Sequence, residues 1–439
     1  MTATIFALSS APGRAGVAVI RVSGDRARDA VEALTGRAPP APRQVVLARL
    51  RDGAGVLIDQ GLCLWFGAPA SFTGEDVCEF QIHGGRAVIG ALLGALGQIE
   101  GLRPARPGEF TRRAVEHGKF DLTAAEALGD LIAAETEQQR VLALRQQEGG
   151  LGELYERWRR QLTRALAWAE AVIDFGEDEV PESVWTKVVG DVRVLANEMQ
   201  QHLDDGQRGE LIRDGLTIAI VGPPNAGKSS LINILTKRDV AIVAPTAGTT
   251  RDLIEVRLDL SGYAVTLVDT AGLREAGEEI EAEGIRRSLA RARSADLRLL
   301  LLDASAPQTS DLVPLEVRST ADIVVWNKID LARAPEAGGL AISARTGEGV
   351  LDIMETLAER VRERLEFPSE APVLTRARHR NAVEEAVTAL KRALLVPEGA
   401  PELMAEDLRL AGRALGQITG AVDVEELLDV IFKDFCIGK

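Results

Sequence analysis

Gly222-Pro-Pro-Asn-Ala-Gly-Lys-Ser-Ser230 matches the phosphate-cradling pattern G-x-x-x-x-G-K-[ST] at every fixed position. The run before it, Leu216-Thr-Ile-Ala-Ile-Val221, reads as a buried strand, and Leu231 onward reads as a helix. A glycine-rich loop in that setting lies where helix N-terminal amides converge on an anion. Gly222 and Gly227 let the backbone approach phosphate closely. Lys228 would reach the outer phosphates and the Ser229 hydroxyl would ligate Mg²⁺, with Asn225, Ala226 and Ser230 completing the loop.

Two further motifs follow in the order a nucleotide hydrolase requires. Asp269 closes the apolar run Ala264–Val268 and opens Asp269-Thr270-Ala271-Gly272. There a carboxylate can meet Mg²⁺ through water, and the Gly272 amide can face the γ-phosphate. Asn327-Lys328-Ile329-Asp330 follows a second apolar strand, Asp322-Ile-Val-Val-Trp326. The Asp330 carboxylate can accept two hydrogen bonds from N1–H and the 2-amino group of guanine, a donor pair that adenine lacks. Ser343-Ala344-Arg345, after one more short strand, matches a loop that supports the base. Each motif alone has an ordinary reading as a strand-end turn. Together they imply a guanine-nucleotide hydrolase domain with a doubly wound, mostly parallel sheet.

Leu273 occupies the place where many such domains carry a water-orienting glutamine, and leucine cannot do that work. Arg274, Glu275, Glu278, Glu279, Glu281 and Glu283 lie close by as substitutes. The same acidic run also suits the front of a helix, and spacing does not choose among the carboxylates.

The rest of the chain bounds the setting. Its 439 residues suit two or three domains, and 46% hydrophobic content supplies ample core. Three distant cysteines, Cys63, Cys78 and Cys436, form no C-x-x-C pair, which points away from a zinc or disulfide framework. With no leader-like start and no apolar run near the roughly 20 residues of a membrane span, a soluble cytoplasmic protein is expected. The net charge of −15, from 51 basic and 66 acidic residues, argues against holding RNA mainly by phosphate contacts. Arg376, Arg378 and Arg380 read as a solvated helix start rather than an RNA footprint.

Patterning divides the chain into residues 1–119, an α+β domain with an antiparallel sheet; 120–214, helical; 215–367, the nucleotide domain; and 368–439, helical again. Val17–Val22 and Val77–His83 have strand character, with Cys78, Phe80 and Ile82 on one face and Glu79, Gln81 and His83 on the other. Thr123-Ala-Ala-Glu126 fits a capping box. Leu151, Leu154, Trp158, Leu162, Ala165 and Ala169 trace one helix face after a break at Gly149 and Gly150. A helical domain interrupted by an inserted nucleotide domain accounts for this order.

Several blocks resemble the tRNA-modification GTPases of the MnmE (TrmE) family. They are Asn225 in the phosphate loop, Thr246-Ala-Gly-Thr-Thr-Arg-Asp252, Asp269-Thr-Ala-Gly-Leu-Arg-Glu275, Ser71-Phe-Thr-Gly-Glu-Asp76, Arg106-Pro-Gly-Glu-Phe110 and the terminal Cys436-Ile-Gly-Lys439. The resemblance spans the whole chain. It implies a GTPase activated by potassium and by pairing of two nucleotide domains. K⁺ would be held by Asn225 and by oxygens of Ala244, Thr246 and Thr249, with Thr250 joining Ser229 on Mg²⁺. It also implies Glu281 as the water-orienting group.

The resemblance further implies that a 5-formyl-tetrahydrofolate binds the N-terminal domain through Arg21, Glu79, Lys119 and Lys439. Without it, those residues read as two sheet-face charges, a loop lysine and a tail. Cys436 reads as a small docking residue or as a reactive thiol beside that site. The implied role is 5-substitution of wobble uridine in certain tRNAs, with an FAD-dependent partner of the MnmG (GidA) type and an N-terminal homodimer. The competing readings are a ribosome-assembly switch and a folate-dependent transferase in which GTP only regulates.

Overall fold

The computed structural model describes residues 3–175, 182–205, 207–237, 242, 255–269, 293–335, 338–366, 372–397, 400–422, 425–433, 435, 437 and 438. The chain forms two compact units. One comprises Met1–Gly129, Gln146–Val192 and Ala389–Lys439; the other comprises Asp130–Arg145 and Arg193–Thr388.

In the first unit six strands make one sheet: β1 (Thr4–Leu8), β2 (Ala15–Ser23), β3 (Val45–Arg51), β4 (Leu57–Phe66), β5 (Val77–Gly84) and β6 (Leu102–Pro104), in the order β3-β4-β5-β2-β1-β6. Helices Ala27–Thr35 and Arg86–Gly97 cover one face, closing a core of Ile20, Phe80, Ile82, Leu92 and Leu96. The alternation in β5 holds, because Cys78, Phe80 and Ile82 are buried while Glu79 and Gln81 are half-buried and His83 is exposed. The expectation of an antiparallel sheet needs one correction: β6 pairs with β1 in parallel. It follows the crossover helix Arg86–Gly97, and a three-residue strand leaves no alternation to read.

The helical part of this unit contains the expected stripe. Leu151, Leu154, Trp158, Leu162, Ala165 and Ala169 are all buried along helix Gly150–Phe175, which packs against helix Pro401–Thr419. Gly149, at φ 96°, ends the preceding turn. The capping-box reading is overturned. Helix Leu122–Ala133 starts two residues earlier than that box requires, so Asp121 caps it: its Oδ1 accepts from the Ala124 amide at 2.8 Å and from the Thr123 hydroxyl at 2.8 Å. An ionised acceptor competes better for the free first-turn amides than a hydroxyl does.

The second unit holds β7 (Leu216–Val221), β8 (Glu255–Leu260), β9 (Tyr263–Asp269), β10 (Leu297–Asp303), β11 (Ile323–Asn327) and β12 (Leu340–Ala341), in the order β12-β11-β10-β7-β9-β8. Every pairing is parallel except β8 with β9. From β7 the chain passes to β8 at one edge, returns through β9 beside β7, and then continues through β10 and β11 to β12 at the other edge. The crevice at the carboxyl ends of β7 and β10 is therefore a topological switch point, where such sheets bind ligands.

Arg376 and Arg380 do not form a solvated helix start. Arg376 Nη2 lies 2.7 Å from Asp130, while Arg380, with its side chain 12% exposed, meets Asp205 at 2.8 Å and Glu210 at 3.1 Å. Their partners are distant in sequence, so a local charge count could not find them.

Candidate functional site

The phosphate loop joins β7 to helix Lys228–Thr236. Its two glycines are demanded by the protein's own packing. A Cβ on Gly222 would lie 2.1 Å from the Leu301 carbonyl, and one on Gly227 (φ 97°) would lie 2.3 Å from Asn327 Nδ2. Besides letting phosphate approach, both glycines leave room for neighbouring strands that already fill that space.

Lys228 is 6% exposed, and its ammonium donates to the carbonyls of Gly222 and Pro223, both at 2.9 Å. Burial lowers its pKa, and the Asp269 charge opposes that shift. A partly desolvated cation of this kind gains from anionic phosphate oxygens. Ser229 Oγ donates to Asp269 Oδ2 at 2.9 Å, so hydroxyl and carboxylate converge where a hard divalent cation takes oxygen ligands. This arrangement fits Mg²⁺. Asn225, exposed and at φ 64°, presents a neutral amide on the same loop.

Asn327, at the end of β11, binds the loops into one frame. Its Nδ2 donates to the Ala226 carbonyl at 2.7 Å, while Oδ1 accepts from the amides of Ala344 at 2.9 Å and Lys328 at 2.8 Å. Ser343 Oγ donates to Asp330 Oδ1 at 2.7 Å, orienting the carboxylate assigned to guanine. Arg345 stays 4.0 Å from Asp330 with an 82% exposed side chain, so it adds little rigidity. Lys328 adopts φ 66° and its Nζ reaches Asp303 Oδ2 at 2.6 Å. Burial pushes the Asp303 carboxyl up, but hydrogen bonds from Lys328 and Ser305 outweigh it and hold the group below its usual range. Sequence reasoning missed Asp303, although it ends the run Leu299–Leu302 just as Asp269 ends its own strand.

The second candidate site lies on β2 and β5, where register places Arg21 opposite Glu79. Both Arg21 Nε, at 2.9 Å, and Nη2, at 2.8 Å, contact Glu79 Oε1. Among the described residues Glu79 Oε2 accepts no hydrogen bond, so it can still receive the amide and amino donors of a pterin. The Arg21 guanidinium lies 5.3 Å from the Phe72 ring centre and 5.8 Å from that of Phe110. Lys119 is exposed, and its ammonium donates to the Pro69 carbonyl at 2.8 Å. An acceptor, two cations and an aromatic wall fit a folate's ring and carboxylates. The tail enters the same unit, since Ser9 Oγ donates to the Gly438 carbonyl at 2.8 Å.

Two family models match the chain: the MnmE helical domain over residues 122–436 and the GTP-binding protein TrmE N-terminus over residues 4–119. The tRNA modification GTPase MnmE of Parvibaculum lavamentivorans is 57% identical over 440 residues, which is 99% of this chain and 100% of that one. The chain belongs to the MnmE family. As a member of that family it is a P-loop GTPase. MnmE of Paramagnetospirillum magneticum is 55% identical over 445 residues, covering 100% of both chains. That of Rhodospirillum rubrum is 52% identical over 456 residues, covering 99% of each.

For this MnmE-family chain the structure brings Asn225, Ala226, Gly227, Lys228, Ser229, Asp269, Asn327, Lys328, Asp330, Ser343 and Ala344 to one end of one sheet. Ser230 follows on the helix and is exposed. Ala244, Thr246, Thr249, Thr250, Thr270, Ala271, Gly272, Glu281, Cys436 and Lys439 lie outside the described residues. No helix among the described residues is long and apolar enough to cross a membrane.

Proposed function

We propose that this chain is a potassium-dependent GTPase that acts, as a homodimer, in C5 modification of wobble uridine in certain tRNAs. In this reading an FAD-dependent partner of the MnmG type and a folate one-carbon donor supply the aminomethyl-type or carboxymethylaminomethyl group. The nucleotide domain interrupts the helical one, and the protein works in the cytoplasm. The observation that carries the hydrolase part is the single frame tying Ala226, Asn327 and Ala344, with Asn225 exposed on the phosphate-loop side. The tRNA role rests on end-to-end kinship with proteins named tRNA modification GTPases.

Lys228 neutralises outer phosphate oxygens, Ser229 and Thr250 offer hydroxyls to Mg²⁺, and Asp330 reads guanine. Asn225, with oxygens of Ala244, Thr246 and Thr249, would hold K⁺. When bound there, K⁺ supplies a fixed positive charge beside the β–γ bridge. Glu281 orients the attacking water. Arg21, Glu79, Lys119 and Lys439 hold the folate, and Cys436 is the candidate reactive thiol. With a net charge of −15, the chain leaves most of the RNA surface to its partner.

The test is GTP turnover of the purified protein in KCl and in NaCl at equal ionic strength. Acceleration by K⁺ that is lost in Asn225→Ala supports the cation site. Equal rates in the two salts remove it, and wild-type turnover by Glu281→Ala removes the glutamate's role.

A further inference from the structure

Two of the family blocks, Ser71–Asp76 and Arg106–Phe110, give the candidate folate site only the rings of Phe72 and Phe110. The two blocks meet at Arg113, which is 4% exposed on helix Glu109–Glu116. Its Nη1 lies 3.0 and 3.1 Å from the two oxygens of Glu75, and its Nη2 donates to Glu109 at 3.1 Å and to the Ala3 carbonyl at 2.7 Å. Glu75 also accepts from the Ser23 hydroxyl at 2.6 Å, and Ser23 shares a 2.7 Å hydrogen bond with Thr73. Glu109 is held in turn by Arg103 at 2.5 and 2.8 Å. Burial pushes its carboxyl up, but the Arg103 and Arg106 hydrogen bonds and the neighbouring arginine charges hold it at about 2.

This network grips the segment between Pro69 and Asp76. That segment supplies one contact to each of the two folate cations, beside the Glu79 and Phe110 contacts that Arg21 makes from elsewhere. Phe72 places its ring against Arg21 and lies 5.9 Å from Phe120, while Pro69 accepts from Lys119. Thr73 O lies 2.8 Å from His117 Nδ1, two residues before Lys119. The segment leaves no slack. A Cβ on Gly74, at φ 82°, would lie 2.9 Å from His117 Cβ.

We propose that Arg113 is a positioning residue of the folate site: through Glu75 it fixes the loop 69–76, and so sets Phe72, Arg21 and Lys119 at the spacing that the ligand requires. The inference rests on the folate reading given above. A forked guanidinium bridging two carboxylates specifies orientation as well as charge, which a lysine at that position could not reproduce. The ordering is made before the ligand arrives, so its loss appears as weaker binding.

The experiment measures binding of 5-formyl-tetrahydrofolate by calorimetry to the full chain, together with thermal unfolding, for Arg113→Lys, Glu75→Gln, Phe72→Leu and Arg21→Ala. The expected result is that Arg113→Lys and Glu75→Gln each weaken binding at least tenfold at a temperature where both remain folded. The double variant should be no worse than the weaker single one, because the two groups act through one contact. A merely structural Arg113 would lower the unfolding temperature and leave affinity within twofold, which overturns the proposal. If Arg113→Lys does not fold, Glu75→Gln and Phe72→Leu decide by the same criterion. Unchanged binding in Arg21→Ala, or none in the parent, would instead remove the folate reading and this proposal with it. Loss in Arg21→Ala with affinity retained in Arg113→Lys would refute the positioning role alone.

Discussion

Asn327→Ala should separate the phosphate loop from the base-reading loop. Asn327 is 2% exposed and joins the Ala226 carbonyl to the Ala344 amide. Truncation leaves both groups without their partner. A buried polar group stranded in this way costs about 1–3 kcal/mol. Ala226 is fully buried and bears that cost in full, whereas Ala344 is half-buried and water relieves part of it. The sum is about 2–3 kcal/mol, shared between stability and ligand-competent alignment. At about 1.4 kcal/mol per decade, GDP affinity should fall roughly tenfold to a hundredfold. Asn327→Asp should do no better, since its second oxygen would face the Ala226 carbonyl. Titration with a fluorescent GDP analogue, beside urea unfolding, reads both effects. Affinity within twofold of the parent and an unchanged urea midpoint would refute the idea that Asn327 holds the site together.

Asp330→Asn replaces an acceptor-only group with one donor and one acceptor, so guanine should lose affinity while xanthine, with an oxygen at position 2, gains it. Competition between GDP and xanthosine diphosphate checks this, and retained guanine preference would contradict the assignment. His202 is held neutral by burial, with its pKa lowered to about 4; Arg380 and His379 add to the shift, and Asp205 and Glu198 oppose it. Because the unfolded chain binds the proton more readily, stability is present above about pH 6.5 and is lost as pH falls toward 4. The loss amounts to about 3 kcal/mol at most. His202→Gln should flatten that part of the urea-midpoint profile, and an unchanged slope would refute it. Burial pushes the Cys63 thiol up to about 11 and raises that of Cys78 well above its ordinary range. A Cys436→Ser variant should therefore give no thiol labelling at pH 8 until denatured, and labelling of the native variant would show that the β4–β5 core opens.

The candidate nucleotide site is legible in the sequence because its chemistry is local. A strand, a tight turn and a helix start follow one another within a few residues, and the residue types at each place are dictated by phosphate and guanine. The helix face from Leu151 to Ala169 was legible for a similar reason, since periodicity records burial. Pairings across the fold leave no such trace. Nothing near Arg376 announces Asp130, and nothing near Arg113 announces Glu75, though the half-buried Arg376 and the buried Arg113 each need an acid. Asp121 is hidden behind Thr123 in the sequence because the capping-box pattern sits two residues out of step with a better acceptor. Arg21 and Glu79 became a pair only once the register of β2 against β5 was in hand.

The central claim is that GTP hydrolysis by this chain serves modification of the tRNA wobble position. Its most direct test is mass analysis of nucleosides from tRNA incubated with the purified chain, an FAD-dependent partner of the MnmG type, GTP, K⁺ and the one-carbon donor. The account predicts a C5-substituted wobble uridine that disappears when Glu281→Ala replaces the parent and GTP is bound but not cleaved. Unmodified uridine in the complete reaction, or full modification with the hydrolysis-deficient variant, would contradict it.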